Sequence, residues 1–400
     1  MNDITLLERA QALGDRLTSL RRAIHAEPET GLHTPMTMAK VREELADLPL
    51  EWREGPSTTG QVAVLKGGSA GRRVLLRGDM DALEMDEHTG LDFASTIPGR
   101  MHACGHDAHT AMLAGAARIL WERKEELAGE VLLMFQPGEE GYHGARFMLD
   151  DGLMTPLPDA AFALHVMPRA KFGMVACRPG PMMAAADQLT IVVEGRGGHA
   201  SMPHDTADPV PVACEIVTAL QSAVTRRFNA ASAVVVTVSQ INAGTAYNVV
   251  PDNVTMRGTI RTLSREHRER ARNEVRAVAE GIAKAHGQHA TVTIEEGFPV
   301  TINDPRAVAL GKAVTHELFG REMWEDLDAP IMGAEDFAYV LEKAPGAMIF
   351  LGVAEDGADW TNCCGIHSSR MMLDERAMPR GAALLAGCAT RFLREGFSSL

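Results

Sequence analysis

Apolar residues recur at Ile4, Leu7, Ala10, Leu13, Leu17, Leu20 and Ile24. Steps of three and four put them on one face and predict an amphipathic helix over 4–24. A second helix is expected over 35–47. Short apolar runs follow at Val62–Leu65, Val74–Leu76, Val131–Phe135 and Ala160–Leu164, with helices expected at 107–123 and 143–151 between them. Near-continuous apolar strands alternating with helices predict an α/β sheet covered on both faces. The rhythm changes over 185–298. Strands are expected at Leu189–Val193, Ala233–Ile241, Val254–Arg261 and Ala290–Ile294, and helices at Pro209–Arg226 and Ser264–His286. That order is β-α-β-β-α-β, the ferredoxin-like split pattern. After Pro299 helices are expected near 305–319 and 374–394, with a strand near 347–351. The predicted architecture is an α/β domain with a central, mostly parallel sheet, made of residues 1–184 and 299–400. It is interrupted by an inserted ferredoxin-like α+β domain at 185–298.

Length agrees with two domains, since 400 residues exceed what one hydrophobic core usually serves. Hydrophobic residues at 46% and charged residues at 23% are an ordinary globular balance. No run of 18 apolar residues occurs, so a membrane span is not expected. Met1-Asn2-Asp3 leads straight into an amphipathic segment rather than a basic start and an apolar run, and a cytosolic location is expected. The net charge of −14 argues against nucleic acid and anionic membranes as partners. An anionic substrate stays open, because bound cations and a placed arginine reverse the local field. Six cysteines do not make a disulfide scaffold. Cys177, Cys214 and Cys388 are expected as small core residues, and the adjacent Cys363 and Cys364 leave a ligand role open for one of them.

The chemistry concentrates where the predicted strands end. One strand runs into Asp79 and Asp81, another into Pro137-Gly-Glu139-Glu140-Gly141, and a third ends at His165. In open α/β sheets ligands bind outside the carboxyl ends of the strands. Parallel neighbours would therefore gather these carboxylates and the imidazole around one crevice. Met101-His-Ala-Cys-Gly-His-Asp-Ala-His109 adds three histidines, a cysteine and an aspartate just before a helix. Cys104 and His106, two apart in a glycine-containing loop, can point into one site. His367 lies in a further loop. Alone, the aspartates read as a capped turn, the glutamates as a solvated turn and His165 as a hydrogen-bonded histidine, whereas the Cys104-Gly-His106 cluster by itself already admits a metal; together they point to a metal centre.

The runs Arg77-Gly-Asp-Met-Asp-Ala-Leu83, Met101-His-Ala-Cys-Gly-His-Asp107, Gln136-Pro-Gly-Glu-Glu-Gly141, Gly197-Gly-His-Ala-Ser-Met-Pro-His204, Asn248-Val-Val-Pro-Asp252 and Met332-Gly-Ala-Glu-Asp-Phe337 carry a resemblance across nearly the whole chain. It resembles the aminoacylase/carboxypeptidase metallopeptidase family, in the branch of hippurate hydrolase and the plant indole-acetyl-amino-acid hydrolases. The resemblance implies a metal-dependent catalytic domain with two divalent metal ions per subunit and an inserted lid and dimerisation domain. Cys104 takes the place of the bridging ligand, with His106, Glu140, His165 and His367 as the other metal ligands. Glu139 resembles the general base, and Asp81 the aspartate that supports the metal site. His199 resembles a lid histidine that assists the partner subunit of a homodimer. Asn248 falls in a substrate-binding motif, and Arg261 matches an arginine that holds the substrate carboxylate. The mixed thiolate, imidazole and carboxylate set suits Zn²⁺ and tolerates Mn²⁺ or Co²⁺. The implied reaction is hydrolysis of small N-acyl amino acids, hippurate-like or N-acetylated. A dipeptidase or carboxypeptidase on the same centre, and a non-catalytic metal-binding protein, are the alternatives. Glu84, Ile366 and Met371–Met372 depart from the family pattern and bear on the acyl pocket.

Overall fold

The computed structural model describes residues 5–355, 357, 359 and 364–397. Ile4 and Cys363, singled out above, lie outside them. The chain divides into two compact units, Met1–Met182 with Ile302–Ala329 and Asp336–Leu400, and Met183–Thr301 with Pro330–Glu335. Beside residues 183–301, the smaller unit takes in the short segment 330–335.

The larger unit is built on an eight-stranded sheet in the order Glu51–Glu54, Gln61–Lys66, Ala128–Gln136, Ser69–Asp79, Ala160–Met167, Gly346–Gly352, Val175–Cys177, Trp324–Asp326. The four strands from Ala128–Gln136 to Gly346–Gly352 run parallel. The first two strands pair antiparallel to their neighbours, and Val175–Cys177 runs antiparallel to Gly346–Gly352 but parallel to Trp324–Asp326. Central strands such as Ala128–Gln136 and Ala160–Met167 are buried almost throughout, as their apolar runs require. Each fully buried Leu or Val there contributes about 1.5–3 kcal/mol of apolar transfer. The helix His106–Glu122 has an equally buried body rich in alanine and glycine, against which Met378–Glu395 lies close. A Cβ at Gly381 would come within 2.0 Å of the Met112 sulfur.

Where sequence and structure differ, short-range geometry is responsible. The first helix is two, Leu6–Ala12 and Gly14–His25, because Leu13 caps the first and leaves its dihedral run. The second helix stops at Glu44 rather than 47. The strands Glu51–Glu54, Val175–Cys177 and Trp324–Asp326 were not expected; at three or four residues they carry too little periodicity to read.

The inserted unit holds an antiparallel sheet in the order Val234–Ala243, Asn253–Thr262, Ala185–Glu194, His289–Glu296, with helices Pro209–Arg227 and Arg265–Ala285. Its own core joins Ile191 and Val193 to Ile216, Leu220, Val254, Met256 and Val275. Both helix starts are readable: the Asp208 carboxylate accepts the Val210 amide ahead of Pro209, and the Ser264 hydroxyl accepts the His267 amide. Cys214, expected in a core, is exposed on the outer face of the first of these helices, whereas Cys177 and Cys388 are buried.

Candidate metal centre

Three neighbouring parallel strands of the larger unit deliver the site. Ser69–Asp79 leads to Asp81, Ala128–Gln136 leads into the Glu139–Glu140 turn, and Ala160–Met167 carries His165 in its last turn of pleat. The fourth contribution is the start of the helix His106–Glu122, whose N-cap is Gly105 at φ 88°. A Cβ on Gly105 would lie 2.4 Å from Val166 Cγ2, so only glycine lets Cys104 and His106 flank the strand bearing His165. Gly138, at φ 74°, does the same for the glutamate turn; a Cβ there would meet Leu32 at 2.7 Å. The fifth piece, His367, sits at φ 61° and is pinned by its amide to the Ala103 carbonyl at 2.7 Å.

These loops converge. Ligand atoms of Cys104, His106 and His165 lie within 4.8 Å of one another, as do those of Cys104, Glu140 and His367. The two groups share Cys104. Its sulfur is 3.4 Å from His165 Nε2, and His367 Nε2 is 3.3 Å from Glu140 Oε1. Glu139 joins His106 and Glu140 in a third such group. Its carboxylate accepts the Asp336 amide at 3.4 Å.

Hydrogen bonds behind the cluster decide which atoms face it. His106 Nδ1 is 2.8 Å from the Asp81 carbonyl and His165 Nδ1 is 2.7 Å from the Val166 carbonyl, so both rings carry their proton on Nδ1 and turn Nε2 inward. Asp81 spends both carboxylate oxygens on the backbone, accepting the amides of Glu139 at 2.9 Å and Glu140 at 3.0 Å. That contact sets the two adjacent glutamates without making Asp81 part of the cluster. Asp79, at the strand end, is likewise consumed: His109 and Arg77 hold its two oxygens.

The electrostatics ask for a cation. Burial drives His165 well below its usual value, leaving a neutral imidazole. Burial opposes charge on His106 too, yet Asp79 and Cys104 raise it well above the usual histidine value. Burial acts to raise Glu140, but His367 and His106 hold it below the usual carboxylate value. Burial pushes the Cys104 thiol up to about 12 when no cation is beside it. His106 Nε2 and Glu140 Oε1 are buried with no hydrogen-bond partner. Buried polar atoms of native proteins are rarely left so. Two orphaned donors of this chemistry, facing a neutral imidazole and a thiol, fit divalent metal ions.

The structure thus brings together Cys104, His106, Glu139, Glu140, His165 and His367, with Asp81 behind them. His199, Asn248 and Arg261 belong to the inserted unit. His199 and Asn248 meet there, since Gly198–His199 pairs with Val249–Val250 and the Ala200 amide donates to the Asn248 carbonyl. His199 Nδ1 accepts the Ser201 amide and lies 2.8 Å from its hydroxyl oxygen, which places the ring proton on Nε2. Arg261 is half-buried and donates to Thr259 Oγ1 and the Ile260 carbonyl. Of the departures noted above, Met371 is buried behind Gly105, while Ile366 and Met372 are exposed. Sequence reading missed the roles of Arg77, His109 and Asp336. Arg77 and Asp336 are buried and ion-paired, with Gln136 bonded to both. All three residues stood inside quoted runs, but spacing along the chain does not separate a candidate ligand from a residue that braces it.

Comparison with known proteins gives a consistent picture. The description of peptidase family M20/M25/M40 matches residues 75–391. The chain is 38% identical over 385 residues to the IAA-amino acid hydrolase ILR1-like 4 of Arabidopsis thaliana, covering 95% of this chain and 86% of that protein. It is 36% identical over 397 residues to thermostable carboxypeptidase 1 of Saccharolobus solfataricus, covering 98% and 97%. Among solved structures, the YXEP protein of Bacillus subtilis, described as a dinuclear metal binding peptidase, superposes with a TM-score of 0.83 at 33% identity over 96% of this chain and 99% of that one. Among the described residues no helix is long and apolar enough to cross a membrane.

Proposed function

The chain belongs to peptidase family M20/M25/M40, and from that premise we propose that it hydrolyses the amide bond of N-acyl amino acids to a carboxylic acid and a free amino acid, acting in the cytoplasm as a homodimer. The observation that carries the reading is the pair of ligand groups sharing Cys104, with Glu139 beside both and a member of neither. Cys104, His106 and His165 would hold one divalent cation; Cys104, Glu140 and His367 would hold the other. Zn²⁺ suits the set best, with Mn²⁺ or Co²⁺ as substitutes. When bound, the ions supply the Lewis acidity that polarises the amide carbonyl and acidifies water.

The chain's own residues do the rest. The Glu139 carboxylate takes a proton from the attacking water and passes it to the leaving nitrogen. Asp81 keeps Glu139 and Glu140 in separate tasks by fixing both amides. Arg261 binds the substrate α-carboxylate, and Asn248 contacts the substrate. His199 of the partner subunit donates a hydrogen bond from Nε2–H to the developing oxyanion, a contribution of ~100- to 1000-fold in rate. Its tautomer, set by Ser201, suits that task.

The kinship to a protein named as a carboxypeptidase supports a second reading, peptide cleavage on the same centre. Assays in parallel on hippurate, N-acetyl amino acids and unblocked dipeptides, each with Zn²⁺, Mn²⁺ or Co²⁺, separate the two. Cleavage of dipeptides alone favours the second, and no turnover with two metals bound favours a non-catalytic metal protein. The trans role of His199 is tested by mixing inactive Glu139→Gln and His199→Ala proteins under subunit exchange. Recovery toward roughly a quarter to a half of wild-type activity is expected from random pairing in a two-fold dimer. Proven exchange without recovery rejects it.

A further inference from the structure

Two histidines of the buried Met101–His109 run, His102 and His109, have no task in this reading, and of the two His109 is the one bonded at both ring nitrogens. His109 lies one turn into the helix His106–Glu122, is 2% exposed, and stands edge-on to His165 with ring centroids 4.7 Å apart. Both its nitrogens are engaged. Nε2 accepts the Val166 backbone N–H at 2.9 Å, and Nδ1 is 2.6 Å from Asp79 Oδ1. A backbone amide only donates, so the ring proton is on Nδ1 and goes to Asp79. The second Asp79 oxygen takes the Arg77 guanidinium. On the far side, the Val166 carbonyl receives His165 Nδ1 at 2.7 Å. A continuous buried chain therefore runs from Arg77 through Asp79, His109 and the Val166 residue to His165, whose Nε2 is 3.4 Å from Cys104 Sγ.

The sheet explains why His109 is needed. Parallel pairing between Ser69–Asp79 and Ala160–Met167 ends at Arg77 opposite Ala163, three residues short of Val166. Beyond that point the strand has lost its ladder partner on this side, and His109 supplies an acceptor. A metal-ligating histidine is usually oriented through the bond to its other ring nitrogen. Here that bond goes to a carbonyl near a strand end, which holds the ring only if Val166 itself is held.

We propose that His109 is a positioning residue of the metal centre: by accepting the Val166 amide and leaning on Asp79, it fixes the rotation of His165 so that Nε2 is presented to the cation shared with Cys104 and His106. The proposal rests on the reading of His165 as a ligand. It concerns cation affinity at one of two sites, and the helix body alone would not make that affinity depend on His109.

The test is Co²⁺ titration of metal-free protein, followed by calorimetry and by the thiolate-to-cobalt charge-transfer absorption that Cys104 gives. Wild type, His165→Ala, His109→Leu, His109→Gln and His109→Asn are compared. Wild type is expected to bind two ions and His165→Ala to lose one. His109→Leu should weaken that same site by about 10- to 100-fold, in line with outer-sphere partners elsewhere, and leave the other little changed. His109→Gln, whose amide oxygen reaches where Nε2 was, should recover much of the loss. His109→Asn, which reaches only toward Asp79, should not. Should His109→Leu fail to fold, the glutamine–asparagine contrast decides alone. Wild-type affinity at both sites in His109→Leu, or equal behaviour of the two amide variants, overturns the proposal. Retention of both ions by His165→Ala overturns instead the ligand reading beneath it, a separate and recognisable result.

Discussion

Two histidine–carboxylate clusters flank the start of the helix His106–Glu122, and they are finished differently. In one, His25 sits between Asp107, 2.7 Å from Nδ1, and Glu87, 3.2 Å from Nε2, while Arg21 donates to Asp107 at 2.8 Å and to Glu375 at 3.0 Å. Glu87 also accepts the Ser95 amide and the Thr89 hydroxyl. Burial opposes a charged His25, yet Asp107 outweighs it and lifts the imidazole to about 9. Burial likewise acts against Glu87, and the bonds from His25 and Thr89 still bring it down to about 2. That cluster balances its own charges, apart from Asp107 Oδ1, which is unpaired. In the other, around Cys104, the rings are oriented from behind but His106 Nε2 and Glu140 Oε1 are buried without a hydrogen-bond partner, with Asp79 Oδ2 3.6 Å from the first and His367 Nε2 3.3 Å from the second. An unmade hydrogen bond on a buried group costs about 1–3 kcal/mol. Both clusters set buried histidines beside carboxylates. What differs is where the unbonded atoms are: one carboxylate oxygen of Asp107 in the closed cluster, and an imidazole nitrogen and a carboxylate oxygen facing the same thiol in the other.

The contrast breaks most visibly at Glu139. Glu139→Gln should lower kcat by about 10²- to 10⁴-fold, the usual reach of general base catalysis, with two metal ions still bound. Elemental analysis of the purified variant checks the second half; a variant that loses metal makes Glu139 a ligand and reverses its task with Glu140. Next comes Cys104→Ser. Because both ligand groups share this sulfur, the neutral hydroxyl should weaken both ions, and metal content after dialysis should fall below that of His165→Ala. Content equal to wild type would remove the shared position.

Arg261 extends the comparison to the inserted unit. There Asp187 closes Arg268 and Arg272, at 2.6 and 2.7 Å. Arg261 has no carboxylate within ion-pair distance among the described residues, and burial lowers its pKa. Arg261→Ala should cost on the order of 2–5 kcal/mol in substrate binding for N-acyl amino acids and much less for their carboxamides. Equal losses on both substrates would reject carboxylate recognition. The smallest effect belongs to the closed cluster. A folded His25 value of about 9 lies above the unfolded one near 6.5, so its stabilisation is complete below about pH 6.5 and fades as pH rises through about 9. Wild type should lose up to about 3 kcal/mol from this source between pH 6 and 9.5, and His25→Asn should show a flatter profile in urea titrations. Parallel profiles would mean that His25 is not the buried cation.

Much of this protein is written in local pattern. Apolar runs and helix caps placed most of the longer elements within a few residues, because burial on both faces of a parallel sheet leaves no polar alternation to misread. Of the candidate residues, Cys104, His106, Glu139, Glu140 and His165 stand at or near element ends, where a side chain can leave the core, and His367 lies in a loop. Tertiary structure decided the rest. Asp79, Asp81, His106, His109 and His165 are the same kinds of side chain at similar positions along the chain. Only the folded arrangement shows that Asp81 is taken by two amides and Asp79 by Arg77 and His109. The open inward nitrogen of His106 is equally a product of the fold. The hydrogen bonds that make that division join residues from 2 to 59 positions apart, and separation in sequence does not tell which of them form. Chain-local chemistry determined which residues are of the types that bind metal, and the tertiary pairing of buried donors and acceptors determined which of their atoms keep no hydrogen-bond partner.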